Sequence, residues 1–275
     1  MRTRRHTWLG LFGIVLFAVV FLVPFLFILF TAAKTQNEAG ELQFSLPTTW
    51  TLLQNFGEAL RARDYMLIIA FINSIVLTVV SVAVLVVLSS MVAYVVQRRR
   101  SRWNGVINFL VLSGLIIPPA VVPTVWVLQK LGLFKTLTGL IFIEIAFGLS
   151  FCILLFRAFI ATIPRDLDEA ALLDGASPGR LFFKVIFPLL RSVMVTVIIV
   201  QSVAIFNDFA NPLYFLPGDE NATVQLTVFN FQSQFNTQYN LLFADILLIT
   251  IPPLLLFLFL NRRIVEGMTA GAVKG

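Results

Sequence analysis

Cysteine and histidine are nearly absent from this sequence, which holds one residue of each type among its 275. Cys152 has no second cysteine to pair with, so a disulfide within the chain and a cysteine-rich metal framework are both excluded. His6 lies in a basic N-terminus, which leaves no histidine metal site and no His-dependent catalytic triad. Both features argue against the commonest metal-dependent and nucleophilic enzymes.

Charged residues are also scarce, at 12% of the chain, where soluble domains carry roughly 25%. Hydrophobic residues make up 59%, Phe alone occurs 28 times, and the mean hydropathy is +0.92. Little charge combined with long apolar runs is typical of an integral membrane protein. We therefore predict an all-α membrane protein.

Six segments are long and apolar enough to cross a bilayer, which takes about 20 residues. The first exceeds the apolar core of a secretory signal, so it is interpreted as a retained helix. The spans are predicted at 8–33, 66–97, 104–128, 139–163, 190–215 and 242–261, and 66–261 forms the core of the protein. They leave an N-terminus at 1–7, outer loops at 34–65 and 216–241, and a C-terminal tail at 262–275.

The distribution of Lys and Arg predicts the orientation. With both termini in the cytoplasm, the inner segments hold 15 of the 20 basic residues, as the positive-inside rule requires. The net charge of +6 is then topological, and nucleic-acid binding is not expected. Proline-rich points at Pro118-Pro119 and Pro252-Pro253 predict kinks in the third and sixth spans.

The polar segment 164–188 falls on the cytoplasmic side and stands out among apolar neighbours. Asp166 is predicted as an N-cap with Glu169 completing a capping box, and Gly175 as the left-handed residue that ends the helix. Ser177 and Pro178 are typical of a second helix start, with its end near Pro188. The segment therefore predicts a helix–turn–helix that meets another protein.

Two other interpretations of this segment remain. A DNA-reading helix–turn–helix fits poorly, because the segment is short, is tethered to the bilayer at both ends and has at least as many acids as bases. A simple amphipathic loop lying on the membrane is the second alternative.

The same segment resembles the EAA loop of ABC importer permeases, whose pattern is EAA-x3-G-x9-I-x-L-P. Val185 replaces the usual Ile and Phe187 the usual Leu. The matching residues are Glu169-Ala170-Ala171, Gly175 and Val185-Ile186-Phe187-Pro188.

Further motifs match the carbohydrate-uptake branch of this family, the maltose/multiple-sugar type, in order from about Phe56 to the C-terminus. Phe206 stands where the family usually has Trp. The motifs are Asn73-Ser74, Ala93-Tyr94, Pro118-Pro119, Leu131-Gly132-Leu133, Ala146-Phe147-Gly148, Ile163-Pro164, Asn207-Asp208-Phe209 and the tail Thr269–Gly275.

This resemblance implies a type I ABC importer permease of six transmembrane helices in a bacterial or archaeal plasma (inner) membrane. Its implied partners are a second permease, two cytoplasmic ATPase subunits, a periplasmic or lipid-anchored sugar-binding protein, the sugar and membrane lipid. Since the sequence contains no G-x-x-x-x-G-K-[ST] phosphate loop, this chain is expected to be non-catalytic and free of cofactors, with ATP and Mg in the partner ATPase. The residues implied in ATPase coupling are Glu169, Ala170, Ala171, Asp174, Gly175 and Pro188.

Polar residues inside the spans are candidates for the sugar path, because polar groups in a bilayer usually face protein or water. Tying helices together is the competing role for them. Glu144 has no counterpart in the family pattern, and Asp245 is expected to be a solvated helix end. The candidates for the path are Asn73, Gln201, Asn207, Asp208 and Asn211, with aromatic walls at Phe206, Phe209 or Tyr214.

Three other functions stay open from sequence. One is an ABC permease for a non-sugar solute such as a peptide or amino acid. Another is a secondary transporter coupled to protons through Glu144, Asp208 or Asp245. The third is a scaffold that binds an ATPase without solute flux.

Overall fold

The computed structural model describes residues 2–99, 101–232 and 237–272, with no side-chain detail for 2–9, 11, 256–257 and 260–272. These residues form helices and no strands, which confirms the all-α prediction. Arg100, residues 233–236 of the predicted outer loop and the last three residues of the tail motif lie outside the described residues.

Thirteen α-helices are described, in an order that follows the apolar runs of the sequence. A π-helix, Phe182–Ile186, and a 3₁₀-helix, Val228–Phe231, complete them. The α-helices are α1 Arg2–Ala32, α2 Gln36–Gly40, α3 Leu52–Arg98, α4 Asn104–Ile116, α5 Val121–Lys130, α6 Leu137–Ile160, α7 Asp166–Leu173, α8 Pro178–Leu181, α9 Phe187–Leu189, α10 Arg191–Phe206, α11 Ala210–Phe215, α12 Val224–Thr227 and α13 Tyr239–Ala272.

Three helices in the described part of the chain are long and apolar enough to cross a membrane: Phe12–Ala32, Leu52–Arg98 and Leu137–Ile160. Two bent pairs, α4 with α5 and Pro178–Leu189 with α10, raise the number to five if each pair is one span. The stretch Tyr239–Leu255 is a shorter apolar helix. The protein is therefore a multi-pass membrane protein.

Proline explains the sharper of the two bends. The axes of α4 and α5 differ by 115°, and the residue between them that precedes Pro118, Ile117, has the extended ψ of 122°. Proline lacks the N–H of a helix bond and forces its predecessor out of the helical region. The predicted kink in the third span is a full break.

Two predicted segments differ in outline from the structure. Within the span predicted at 190–215, the helix α10 ends at Phe206, and the carboxylate of Asp208 accepts from the amides of Ala210 and Asn211 at the start of α11. The outer loop predicted at 34–65 contains α2 and the first turns of α3. The helix α3 is itself broken over residues 62–65, of which the last three are left-handed.

One compact unit comprises Met1–Phe71 and Val224–Ile251. Its apolar core includes Ala32, Ala59, Phe231 and Leu242. Lys34 is 1% exposed, and its ammonium donates to the carbonyl of Gln43 and the hydroxyl of Ser45, both at 2.8 Å. These two hydrogen bonds fix residues 43–45, which follow α2. In the part of the chain that the structure describes, no ion pair of Lys34 with an acidic side chain is seen.

The second unit comprises Ile72–Thr223 and Pro252–Gly275. Its core is built mainly from α3, α6 and α10 and includes Leu85, Phe156, Ile186 and Val197. Between α4 and α6, Arg157 donates to the side-chain oxygen of Asn108 at 2.5 Å. This unit contains every residue predicted for the coupling segment and for the sugar path.

Candidate functional site

The coupling segment, which we define as residues 164–188, begins with the eight residues of α7. Asp166, Asp168 and Glu169 occupy its first turn, where acidic groups complement the positive end of the helix dipole. The prediction that Asp166 is the N-cap is wrong. Arg165 takes that position with helical φ and ψ, so no side chain caps the helix.

The turn after α7 has the geometry expected from its sequence. Gly175 has a φ of +75°, the left-handed region that only glycine enters at little cost. The hydroxyl of Ser177 accepts from the amide of Arg180, and Pro178 is the first residue of α8. This second helix is short, because Phe182–Ile186 continues as a π-helix before α9.

Most of the residues predicted to contact an ATPase are exposed. Glu169 and Ala170 lie on α7, Asp174 ends it, Gly175 follows, and all four are exposed, whereas Ala171 is half-buried against the core. Pro188 is exposed on α9. Residues 169–175 therefore form a largely exposed surface with an acid near each end, Glu169 and Asp174, and two exposed leucines, Leu172 and Leu173, between them.

Asp168 is the acid of this segment that the sequence analysis missed. It is buried, and its carboxylate contacts Tyr94 and Arg98 on α3. A groove of about 260 Å³ lies beside these contacts and is also lined by Arg99 and Arg165. The only sequence signal for this site was Tyr94, which belongs to one of the quoted family motifs.

A polar cluster lies where α10 gives way to α11. The side-chain amide of Asn211 donates to the carboxylate of Glu144, on α6, at 3.1 Å. Asp208 is half-buried and caps α11. Glu144, which had no role in the sequence pattern, is thus part of this cluster.

Each of the remaining path candidates has contacts of its own. Asn73 donates to the carbonyl of Ala222 at 3.1 Å, and Gln201 is buried with its amide oxygen against Gly148. Asn207 is exposed, and its side chain donates to the carbonyl of Val203 one turn earlier. The described partners of Asn73, Gln201 and Asn207 therefore differ from those of Asp208 and Asn211.

Phe206 lines a cavity of about 190 Å³. The hydroxyl-bearing residues Thr78 and Ser202 contribute to its wall, together with Pro252 and Pro253 of α13. The rest of the wall is aliphatic, from Ile75, Val79 and Val203, so the cavity is mainly apolar.

Asp245 differs from its prediction as a solvated helix end. It is fully buried in the first unit and accepts a hydrogen bond from the hydroxyl of Thr227 at 2.9 Å. Sequence position near the end of an apolar run suggested solvent, but the helix α13 begins at Tyr239 and already carries this residue into the core. Across the described residues, no group of three or more His, Cys, Asp or Glu side chains is placed to hold a metal ion.

Known proteins resemble this chain over nearly its whole length. The probable starch degradation products transport system permease protein AmyC of Thermoanaerobacterium thermosulfurigenes is 33% identical over 95% of this chain and 94% of its own. The melibiose/raffinose/stachyose import permease protein MelC of Bacillus subtilis is 31% identical over 92% of this chain and 91% of its own. The diacetylchitobiose uptake system permease protein NgcG of Streptomyces coelicolor is 31% identical, over 95% and 87%.

A solved structure has the same fold. A chain of a bacterial ABC transporter involved in importing the acidic polysaccharide alginate superposes with a TM-score of 0.83 at 20% identity, covering 95% of this chain and 97% of that one. Residues 86–270 match the family described as the inner membrane component of binding-protein-dependent transport systems. This chain belongs to that family of ABC importer permeases, as its motifs predicted.

Proposed function

We propose that this chain is the permease subunit of an ATP-driven sugar importer and forms half of the translocation pathway. The observation that carries the proposal is its similarity, over nearly its full length, to permeases named for starch products, diacetylchitobiose and melibiose. The chain itself is non-catalytic. ATP and Mg bind to the partner ATPase subunits.

The membrane arrangement that goes with this function has six spans and cytoplasmic termini. The excess of Arg and Lys in the segments assigned to the cytoplasm supports it, and so do the bent helix pairs, each of which counts as one broken span. Broken helices are tolerated in a bilayer where neighbouring helices or water satisfy the freed backbone groups. The coupling segment then lies in the cytoplasm as a helix–turn–helix.

The coupling surface is the ridge from Glu169 to Gly175. Its exposure supports docking into a groove on an ATPase subunit, because Ala170 and Gly175 let another surface approach the backbone closely. Closure of the ATPase pair on ATP moves this ridge, and the attached spans follow as rigid bodies to give alternating access. Pro188 lies at the far end of the segment, where the chain bends by 75° into α10.

The sugar path is assigned to the surroundings of the break between α10 and α11. The exposed amide of Asn207, the half-buried Asp208 and Asn211, and the cavity beside Phe206 support this assignment. Gln201 lies in the same helix. Asn73 is kept as a candidate for the path, although its described contact is with a backbone carbonyl, that of Ala222.

The further partners are a sugar-binding protein, which docks from the outer side, and a second, related permease, which lies beside this chain in the membrane. A similar fold occurs in the alginate transporter solved in complex with a periplasmic protein bound to an alginate pentasaccharide, with a TM-score of 0.70 at 14% identity. The function therefore requires a complex of several chains in the plasma membrane.

Uptake into proteoliposomes tests the proposal. The complete complex is purified through a tag on this chain and reconstituted, and the probes are radiolabelled maltose, melibiose, trehalose and diacetylchitobiose with their binding protein. We expect at least one sugar to accumulate with ATP and not with ADP, unaffected by a proton ionophore. Accumulation that needs a proton gradient rather than ATP would contradict the mechanism, and no accumulation of any of the four would contradict the substrate class.

A further inference from the structure

Asp168 joins the coupling segment to a helix far away in sequence. It lies in the first turn of α7 and is 9% exposed. One carboxylate oxygen accepts a hydrogen bond from the hydroxyl of Tyr94 at 2.7 Å. The other lies 3.2 Å from a guanidinium nitrogen of Arg98. Both partners belong to the last turns of α3.

Arg98 extends this link to the chain that leads into α7. The same guanidinium nitrogen donates to the carbonyl of Ile163 at 2.9 Å. Arg165 reaches in the opposite direction, and its guanidinium lies 3.5 Å from the carbonyl of Gln97. Carbonyls in the last turn of a helix have no partner within the helix, so a cation there satisfies them.

Tyr94 connects the same acid to the second half of the coupling segment. The centroid of its ring lies 5.4 Å from the ring centroid of Phe182, the first residue of the π-helix. Phe182 in turn packs against Phe183 and Phe187. A single tyrosine therefore contacts both helical parts of the segment, one through its hydroxyl and one through its ring.

The exposure of the neighbouring acids shows that stabilisation by the helix dipole does not explain why Asp168 is buried. Asp166 and Glu169 occupy the same first turn and are exposed. A carboxylate loses solvation when it is buried, and it is retained where it is paired and hydrogen-bonded. For Asp168, the described groups that pair with the carboxylate and donate to it are Arg98 and Tyr94, both on α3.

We propose that Asp168 is a positioning residue that fastens the coupling segment to the end of α3, so that α3 moves together with α7 when the ATPase subunits close. The inference rests on the proposed function, since it assumes that α7 is the element the ATPase moves. The fastener is the triad of Asp168, Arg98 and Tyr94. It makes α3 a third helix driven by the segment, beside α6 and α10, which are joined to it directly.

The consequence is a specific kind of failure. Without the fastener, α7 still docks and the ATPase still turns over, but the movement of α3 lags behind. We expect the number of ATP molecules hydrolysed per sugar imported to rise by about tenfold in Asp168→Asn and Arg98→Ala, the size of effect that the loss of one charged hydrogen bond has on an equilibrium. Tyr94→Phe removes a single hydroxyl, and we expect a smaller rise.

Matched controls separate positioning from general damage. Arg99→Ala removes the same charge from the exposed neighbour of Arg98 and is expected to keep the wild-type ratio. In a double-mutant cycle, Arg98→Ala combined with Asp168→Asn is expected to raise the ratio no further than either single variant does, because both changes remove the same ion pair. A merely structural role would change complex yield and thermal stability without this pattern in the ratio.

Distance measurements on the intact complex test the movement itself. Spin labels are attached to Val95→Cys and Leu173→Cys, both at exposed positions, and electron paramagnetic resonance measures the distance between α3 and α7. The native Cys152 is buried and is therefore expected to take up little label. We expect one narrow distance that is the same with and without ATP, and a second distance with ATP when Asp168→Asn is added. A wild-type distance that changes with ATP, or a coupling ratio unaltered in Asp168→Asn, would overturn the inference. Absence of ATP-driven uptake in the wild type would instead overturn the proposed function.

Discussion

At the residue scale, Gly139 shows how closely α6 approaches the chain before it. A Cβ at this position would collide with the carbonyl oxygen of Leu133 and lie 3.1 Å from its carbonyl carbon. The obstacle is backbone and cannot rotate away. The amide of Gly139 also donates to the hydroxyl of Thr136, the N-cap of α6. Glycine here permits both the close approach and the cap.

We predict that Gly139→Ala destabilises the protein by about 2 kcal/mol, the typical cost of overpacking. The midpoint of thermal unfolding in detergent, followed by tryptophan fluorescence, should fall. Gly105→Ala is the control, because Gly105 is also helical and nothing lies within 4 Å of its Cβ position. It should leave the midpoint unchanged or slightly raised. Equal midpoints for both variants would contradict the close contact.

Residues whose role is local could be predicted from sequence, whereas those whose role depends on a distant partner could not. Gly175 and Ser177 act within one turn of chain, so their spacing was sufficient. Asp168 looks in sequence like one of three first-turn acids, and its partner Tyr94 is 74 positions away. Asp245 was wrongly expected to be solvated for the same reason, since its partner Thr227 lies on another element.

At the element scale, Asn55 ties three helices of the first unit together. Its side-chain amide donates to the carbonyls of Ala32 and Lys34 at 2.8 and 2.9 Å, which terminates α1. Its oxygen accepts from the side chain of Asn240 on α13 at 3.1 Å. Since the last carbonyls of a helix lack internal partners, Asn55 satisfies part of the end of α1, and Thr51 donates to the carbonyls of Ala33 and Lys34 beside it.

We predict that Asn55→Ala costs about 2 kcal/mol, because it removes the side-chain donor of the buried Ala32 carbonyl and leaves the side chain of Asn240 without its acceptor. Hydrogen–deuterium exchange should rise at the end of α1 and the start of α13, while α6 stays protected. Gln54→Ala is the matched control, since Gln54 is exposed and its side-chain amide donates to Glu58 on the surface. Unaltered exchange at the end of α1 would contradict the capping role.

Hydropathy predicted where helices occur but not their breaks. The third span was expected to kink at Pro118 and Pro119, and the structure bends there by 115°. A missing N–H tells where a helix is interrupted, whereas the angle depends on what each half packs against. The end of α10 at Phe206 was not predicted. The carboxylate of Asp208 accepts from the amide of Ala210 at the start of α11, and a hydropathy pattern contains no sign of such a contact.

At the scale of the whole molecule, the proposed orientation places the coupling segment and the 216–241 segment on opposite sides of the membrane. Leu173 is 89% exposed and Glu220 is exposed, so both positions accept a label. The native Cys152 is buried and contributes little background. These positions allow the orientation to be measured directly.

We predict that a membrane-impermeant maleimide labels Leu173→Cys only in inside-out vesicles and Glu220→Cys only in right-side-out vesicles. The physical reason is that a charged reagent does not cross the bilayer. Labelling after detergent solubilisation is the control for reactivity. Two variants labelled from the same side would contradict the arrangement of spans between them.

The central claim is that the energy of ATP enters through the ridge from Glu169 to Gly175. A Cβ atom added at Gly175 would meet no described atom of this chain within 4 Å, but the φ of +75° is costly for any other residue. Gly175→Ala and Gly175→Trp therefore share the same backbone strain, about 1 kcal/mol, and differ in the bulk presented to the ATPase subunit.

ATP-driven uptake in proteoliposomes, with the two variants compared at equal amounts of assembled complex, tests this claim most directly. We predict that Gly175→Ala retains most of the uptake and that Gly175→Trp loses it while the chain still reaches the membrane. Uptake at the wild-type rate in Gly175→Trp would contradict the claim.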